Sequence, residues 1–518
     1  MAPESVDRRY RVNKYGNGAL YGSSGAREAL AWDVSIDWDG DGVPETNDAD
    51  RLIGVTITRG RNRILETNGA GFQGVPTGTT TLTFRNDDGR YDGWNEDSPL
   101  YPYVTYGKDG RVRVRDMQTG TIYPLFYGAI TNITPSGYGV DARVDITLSD
   151  GLELLRNGQA RVALQEDIGV DDAIGLVLDS AGWPTHWGRE LDAASETIPY
   201  WWASGNKLAM REIEDLAQSF LGYFFANAEG QARYIIRTAT PTAVVNFAQE
   251  YLLKDIANPQ AYTIRRNVTR IKVHPRTKAA TGAIWELVGT PPSILPGSAN
   301  ALTIWANYTY DGNPTPADDV IEPVATTDYT VNSSEDGSGT DLTADCTVSL
   351  TDFGDTGKLI VTNNSGVTGY VTYLRIRGDA IYEPSVADVT YPTDPSSLTN
   401  ARELLFDLTW QQNVNVAVDL SNVIGSFFAG LHPTPTVKLQ SWPSLQFIAD
   451  LFDVVTADLD TLGLTGTSYR VGALEHHTLG ENCQAVETVV TLEPYISSED
   501  FMRWDTASEW DTTTVFGW

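Results

Sequence analysis

The sequence predicts a mainly β protein carrying one small α+β unit, and three observations predict it. Apolar and polar side chains alternate over short runs through most of the chain, turn sequences such as Asn86-Asp-Asp-Gly89 and Pro135-Ser-Gly137 separate those runs, and helical spacing appears clearly only around residue 165. At 518 residues there is room for roughly three or four domains, each able to bury its own core.

The first unit, residues 1–160, reads as an antiparallel barrel or sandwich. Trp32-Asp-Val-Ser-Ile36, Leu52-Ile-Gly-Val-Thr-Ile57, Leu82 with Phe84, Val112 with Val114, and Val144, Ile146 and Leu148 are half-buried strand patterns. In residues 161–265 the period changes. Ile174, Val177, Leu178 and Ala181 follow Asp171-Asp172 at helical spacing and stop at Gly182 and Pro184; Ile213, Leu216, Ala217, Phe220 and Phe224 repeat the pattern. A turn at Ala228-Glu-Gly230 leads into the strand Ala232-Arg-Tyr-Ile-Ile-Arg237, giving a helix-helix-hairpin domain. Residues 266–290 and 389–497 read as a second barrel or sandwich, with a short helix near 398–408 and strands at 414–418, 452–455, 469–471 and 487–492. It is interrupted by an inserted β-sandwich over 291–388, rich in Thr, Asn, Asp and Gly. Residues 498–518 form an amphiphilic tail in which Trp504, Trp510, Phe516 and Trp518 stand among Asp and Thr, a set suited to docking on a partner or on the chain's own barrel.

The twelve residues Asp37-Trp-Asp-Gly-Asp-Gly-Val-Pro-Glu-Thr-Asn-Asp48 place oxygen side chains at loop positions 1, 3, 5, 9 and 12, with Gly42 at position 6. That is calcium-loop spacing, in which Asp37, Asp39, Asp41 and Asp48 supply carboxylates, the Val43 carbonyl a main-chain oxygen, and Glu45 a direct or water-mediated ligand. Position 12 is Asp instead of Glu, position 8 is Pro44, and the flanks read as strands, which argues against an EF-hand helix pair. Two readings stand: a structural Ca²⁺, or an acidic turn held by Asx hydrogen bonds. Neither is catalytic.

The formal charge is 37 − 68 = −31, with acids spread along the chain. Such a surface repels phosphate, which argues against specific nucleic-acid or anionic-membrane binding. No stretch has membrane-spanning or signal-peptide character, so a soluble protein is expected. Cys346 and Cys483 are expected in different domains and unbridged. His476 and His477, neighbours on a strand, point to opposite faces and do not suit one zinc. Phosphate loops, nucleophile elbows and zinc-protease motifs are lacking. Among enzymes, a glycosidase is the remaining alternative, because 14 tryptophans and many acids are available; Trp183, Trp187, Trp201 and Trp202 cluster near a helix end, where packing is the simpler role. The expectation is no enzyme.

Residues 74–91, Gly-Val-Pro-Thr-Gly-Thr-Thr-Thr-Leu-Thr-Phe-Arg-Asn-Asp-Asp-Gly-Arg-Tyr, followed by Ser98-Pro-Leu-Tyr-Pro102, Arg111-Val-Arg-Val-Arg115 and Tyr123-Pro-Leu-Phe-Tyr-Gly128, carry a resemblance. So do the helix and hairpin over 211–236, Arg265-Arg-Asn-Val-Thr-Arg-Ile-Lys-Val273, residues 462–476 and the aromatic close. The chain outside 291–388 resembles minor tail and baseplate-hub (tail-tip) proteins of tailed bacteriophages. The resemblance implies a virion protein with two β-barrel-like hub domains per subunit. A homotrimer of such subunits forms a pseudo-sixfold ring that closes the tail tube at the host-facing end and lets DNA pass. It also implies as partners the tail-tube and distal tail proteins, the tape-measure protein, and tail fibre or spike proteins. Calcium would stiffen a peripheral loop. The inserted sandwich would bind a neighbouring fibre or a host glycan, with Trp305, Tyr308 and Tyr310 as sugar-facing candidates, for which core or edge packing is the simpler role. A receptor- or glycan-binding tail protein is the alternative, and a cell-wall polysaccharide hydrolase a weaker one.

Overall fold

The computed structural model describes residues 13–15, 19–21, 30–44, 46–61, 74–237, 239–251, 268–392, 403–429, 433–440, 442–480, 483 and 485–495. Alternation works as expected in the first unit. In Thr79–Arg85, Thr80, Leu82 and Phe84 turn inward while Thr79 and Arg85 face solvent. The antiparallel order runs Thr46–Asn47, Leu30–Ile36, Asp109–Asp116, Ile122–Ser136, Arg143–Ser149, Thr79–Arg85, Leu52–Gly60. Val34, Ile36, Ile57, Val112, Ile146 and Leu148 are buried between its turns.

This sheet does not end at Leu52–Gly60. Residues 56–60 pair antiparallel with 473–477 of the strand Leu464–Leu479, in the register Gly60↔Ala473 to Thr56↔His477. Leu464–Leu479 pairs in turn with Val454–Leu459 and Ala485–Pro494, and Asn246–Ala248 and Thr436–Gln440 add to these. The N-terminal and C-terminal β units are therefore one twelve-stranded sheet. Backbone hydrogen bonding across the seam satisfies an edge that would otherwise be open to other chains.

The α+β unit has the expected helices, Val170–Ser180 and Ala209–Ser219, and the hairpin Tyr223–Ala226 with Ala232–Ile235. It also contains a long antiparallel strand pair, Gln159–Gly169 with Thr197–Leu208, separated in the chain by the helix Val170–Ser180 and the strand Arg189–Leu191, that alternation does not reveal. Two register shifts along this pair break a simple period of two. Its core is continuous with the C-terminal strands, so that Ile213, Leu216 and Phe225 lie in one cluster with Phe452, Val471 and Leu492.

The sheet of the insert reaches outside the expected 291–388: its central strand, Gly369–Tyr382, is flanked by Thr277–Lys278 and Gly282–Glu286, expected in the second barrel, as well as by Ser293–Ile294, Ala317–Ile321 and Tyr329–Asn332. A second sheet, Leu302–Asn307, Thr356–Asn363 and Cys346–Asp352, packs on it around Val348, Leu359, Val361, Val371 and Leu374. At its root, Val268–Val273 pairs with Ala387–Tyr391 and, in parallel, with Glu403–Leu408.

Two expected elements are exchanged. The helix expected over 398–408 is, in its described part, the strand Glu403–Leu408, because Leu404, Phe406 and Leu408 are buried at a period of two. The strand expected at 414–418 opens the helix Val414–Ala429, which buries Ala417, Leu420 and Ile424 at helical spacing. Its β-branched start suggested a strand, and packing against the three-stranded sheet overrode that propensity. Among the described residues no helix is long and apolar enough to cross a membrane.

Candidate functional site

The acidic loop hangs between Leu30–Ile36 and Thr46–Asn47, tied to the sheet where the Asp37 amide donates to the Asp109 carbonyl at 2.8 Å. The glycines at positions 4 and 6 have φ of +83° and +90°, so the chain folds back over Asp37. Asp37 Oδ1 accepts from the amides of Gly40 (2.7 Å) and Asp41 (3.2 Å), and Oδ2 accepts from Gly42 (2.8 Å). Burial alone would raise the Asp37 pKa, but these amides outweigh it and hold the carboxyl below its ordinary value. Asp41 Oδ1 likewise accepts from the Val43 amide at 2.8 Å.

The loop brings together Asp37, Asp39 and Asp41, whose carboxylate oxygens lie within 4.8 Å of one another. It does not bring in Asp48. That side chain is buried against the neighbouring turn, where Oδ2 accepts from Trp38 Nε1 and Oδ1 from Arg90 Nη2, each at 3.3 Å. Val43 is exposed, and Glu45 lies outside the described residues. The three carboxylates of Asp37, Asp39 and Asp41 are thus assembled around one point.

Sequence reasoning missed what stands behind the loop. The Lys108 ammonium lies 2.6 Å from where a Cβ on Gly40 would be, and the His186 ring lies beneath Gly42. Asp109, almost fully buried, accepts on Oδ2 from His186 Nε2 (2.7 Å), Trp187 Nε1 (2.8 Å) and the Tyr127 hydroxyl (3.0 Å). Burial and the nearby Asp109 carboxylate raise the Tyr127 pKa, so the phenol stays protonated as a donor. The acidic loop is therefore clamped to the α+β unit through one carboxylate. His186 and Trp187 follow a Gly-x-Pro helix stop, and their role was not legible from that context.

The aromatic candidates separate. Trp305 is 55% exposed. Tyr308, expected to face sugar, is fully buried with its hydroxyl on Asp352 Oδ1 at 3.0 Å, because it closes the insert's core. Tyr310 is half-buried and stacks on Tyr382, with ring centroids 4.8 Å apart. The tryptophan cluster near the helix end packs as core: Trp183, Trp187 and Trp201 are buried, and the Arg276 guanidinium lies against both Trp202 and Trp410, whose rings meet edge to face. Trp504, Trp510, Phe516 and Trp518 lie outside the described residues.

No family model matches the chain, and no curated protein matches it. Solved structures similar to it include three tail proteins. A 43 kDa tail protein of prophage MuSo2 from Shewanella oneidensis has 10% identity and TM-score 0.48, over 91% of this chain and 99% of that one. A tail protein from Neisseria meningitidis MC58 has 9% identity and TM-score 0.46, over 91% and 99%. Prophage tail protein gp18 from Listeria monocytogenes EGD-e has 8% identity and TM-score 0.42, over 92% and 98%.

Proposed function

We propose that the chain is a structural subunit of a bacteriophage tail tip, a baseplate-hub protein that trimerises into a ring at the host-facing end of the tail tube and leaves a channel for DNA. The observation that carries this reading is the seam between residues 56–60 and 473–477, which joins the N-terminal and C-terminal β units into a single sheet. A wall segment must keep its two lobes at a fixed angle, and a shared hydrogen-bonded sheet does that where a flexible linker does not.

Two features support it. Residues 74–128 carry the hub-type sequence pattern, with the Asn86 to Tyr91 turn built as a compact unit in which the Tyr91 amide donates to Asn86 Oδ1 at 3.0 Å. The net charge of −31 suits a lumen that must not hold DNA phosphates. The reading assigns no reaction to the chain; its work lies in interfaces with tail-tube, distal tail, tape-measure and fibre or spike proteins. A Ca²⁺ on Asp37, Asp39 and Asp41 belongs to it as a structural ion, and the aromatic tail from residue 498 as a docking segment.

Light scattering followed by electron microscopy of the purified chain, alone and mixed with tail tubes, tests it. Rings of three subunits with a central channel are expected. A compact monomer under both conditions overturns the reading.

A further inference from the structure

The second sheet of the insert has one face in the core and one turned outward. Strand alternation sends Val348, Leu359 and Val361 inward, and Thr347, Ser349, Thr351, Thr303, Trp305 and Lys358 outward. Backbone register sets these in rows: Trp305 opposite Lys358, and Lys358 opposite Thr351; Thr303 opposite Ile360, and Ile360 opposite Ser349. Rows repeat about every 6.7 Å along the strands, with roughly 4.8 Å between strands. Hydroxyls on such a grid are ordered by the backbone and need little further fixing.

At one end of the grid Trp305 stacks on Phe353, with centroids 5.8 Å apart and planes 28° apart. Two cations flank the pair: Lys358 Nζ is 5.9 Å from the Trp305 centroid, and the Arg161 guanidinium carbon is 5.4 Å from the Phe353 centroid. Asp352, at the rim, is engaged by the Tyr308 hydroxyl and the Gly354 amide, both at or below 3.0 Å. In a chain with 68 acids against 37 bases, the outward rows of this face hold hydroxyls, Ile360, an exposed indole and Lys358, while the nearby carboxylates, exposed Asp352 and half-buried Asp355 beside Arg161, lie in the turn at its end.

We infer that this face binds an anionic glycan, with a sugar ring on the Trp305 indole, ring hydroxyls on the Thr and Ser rows, and the sugar's carboxylate or phosphate at Lys358. The indole face attracts the polarised C–H groups of a pyranose, and an aromatic ring on a rigid strand loses little entropy on binding. Lys358 supplies the charge match that an otherwise acidic protein withholds from anions. The inference goes beyond hub assembly and is independent of it, since a monomer and a ring subunit both carry this face.

Isothermal titration of the full-length chain with oligogalacturonate, a glycerol-phosphate oligomer and neutral cellohexaose tests it. Saturable binding of one or both anionic probes, weakened by added salt, is expected; which probe binds identifies the anion as carboxylate or phosphate. Trp305→Ala should weaken that binding at least tenfold, Lys358→Gln should abolish the preference over cellohexaose, and Tyr310→Phe should change nothing. Thr351→Glu, which sets a carboxylate beside Lys358 without touching the core, should mimic Lys358→Gln. Trp305→Ala binding like the parent, cellohexaose binding as well as the anions, or no saturation by either anion at millimolar concentration overturns the inference.

Discussion

Arg59 and Asp450 stand 391 residues apart in the chain and 2.6 Å apart in the fold. Arg59 is 3% exposed, and its other terminal nitrogen donates to the Ala226 carbonyl at 2.8 Å. Asp450 accepts from the Ala228 amide at 2.7 Å. One ion pair thus ties together the N-terminal sheet, the hairpin of the α+β unit and the C-terminal segment.

Asp450→Asn removes a carboxylate, itself 27% exposed, from a buried guanidinium that also has Asp150 nearby, and is expected to cost about 2–3 kcal/mol. Urea unfolding followed by tryptophan fluorescence should show the lower midpoint, and hydrogen exchange should rise in the Tyr223–Ala226 and Ala232–Ile235 hairpin. An unchanged midpoint would mean the three units are held by their apolar cores alone.

His476 gives an acid dependence whose direction is fixed. Burial, with Arg59 close by, pushes its pKa from 6.5 down to about 3, although Asp450 pulls the other way; its Nδ1 is 3.0 Å from Thr488 Oγ1. The folded chain keeps the ring neutral, while the unfolded chain takes up a proton below pH 6.5. Stability from this group is therefore complete above that pH and is lost as pH falls toward about 3, at ~1.4 kcal/mol per pH unit for one proton. His476→Gln should lack this contribution, so the difference in unfolding free energy between the two proteins should be flat above pH 7 and shift in favour of the variant on acidification. A difference that stays flat down to pH 4 would place a proton on the folded ring.

Where local pattern decides structure, the sequence was readable. Leu82 and Phe84, or Ile174, Val177 and Leu178, point to one face whatever the rest of the chain does. Where partners are distant, it was not. The Val55 amide donates to Thr478 Oγ1 at 2.8 Å across 423 residues, and no local signal pairs those strands. The exchange of helix and strand at 403–429 has the same origin, since the three-stranded sheet decides which segment pairs and which covers it. In the candidate sites, spacing found Asp37, Asp39 and Asp41 because ligands in one loop are local. It could not foresee that Arg90, folded in from another turn, takes Asp48. Nor could it tell exposed Trp305 from buried Tyr308 three residues later, because the strand ends between them.

The acidic loop separates a structural role from a metal-binding one. Asp37 accepts from three backbone amides. Asp37→Asn should therefore lower the melting temperature even in chelator, by an amount corresponding to about 1–2 kcal/mol. Asp39 and Asp41 are exposed, so Asp39→Asn with Asp41→Asn should leave the melting temperature in chelator almost unchanged and remove any rise on adding Ca²⁺. A parent protein that melts at the same temperature with calcium and with chelator, and carries no metal by elemental analysis, would leave only the acidic turn.

Gly60 ends the Leu52–Gly60 strand at the seam, with φ of +87°. A Cβ there would lie 2.3 Å from the Gly472 carbonyl oxygen and 2.8 Å from Ala473 Cα, both backbone atoms that cannot swing aside. The same carbonyl accepts from the Arg61 amide at 2.8 Å, so relieving the clash means pulling the two strands apart. Gly60→Ala is expected to destabilise by several kcal/mol, well beyond the ~1 kcal/mol of a strained left-handed residue alone. Gly54, in the same strand, is the control. A Cβ there meets Thr83 Cβ at 3.4 Å, an ordinary contact, so Gly54→Ala should be neutral or slightly stabilising. If the seam holds the two β units as one wall, Gly60→Ala should also increase protease cleavage within residues 464–479 and abolish ring formation, while Gly54→Ala does neither. Rings from a Gly60→Ala protein that is as protease-resistant as the parent would show that the seam is not what positions the two units.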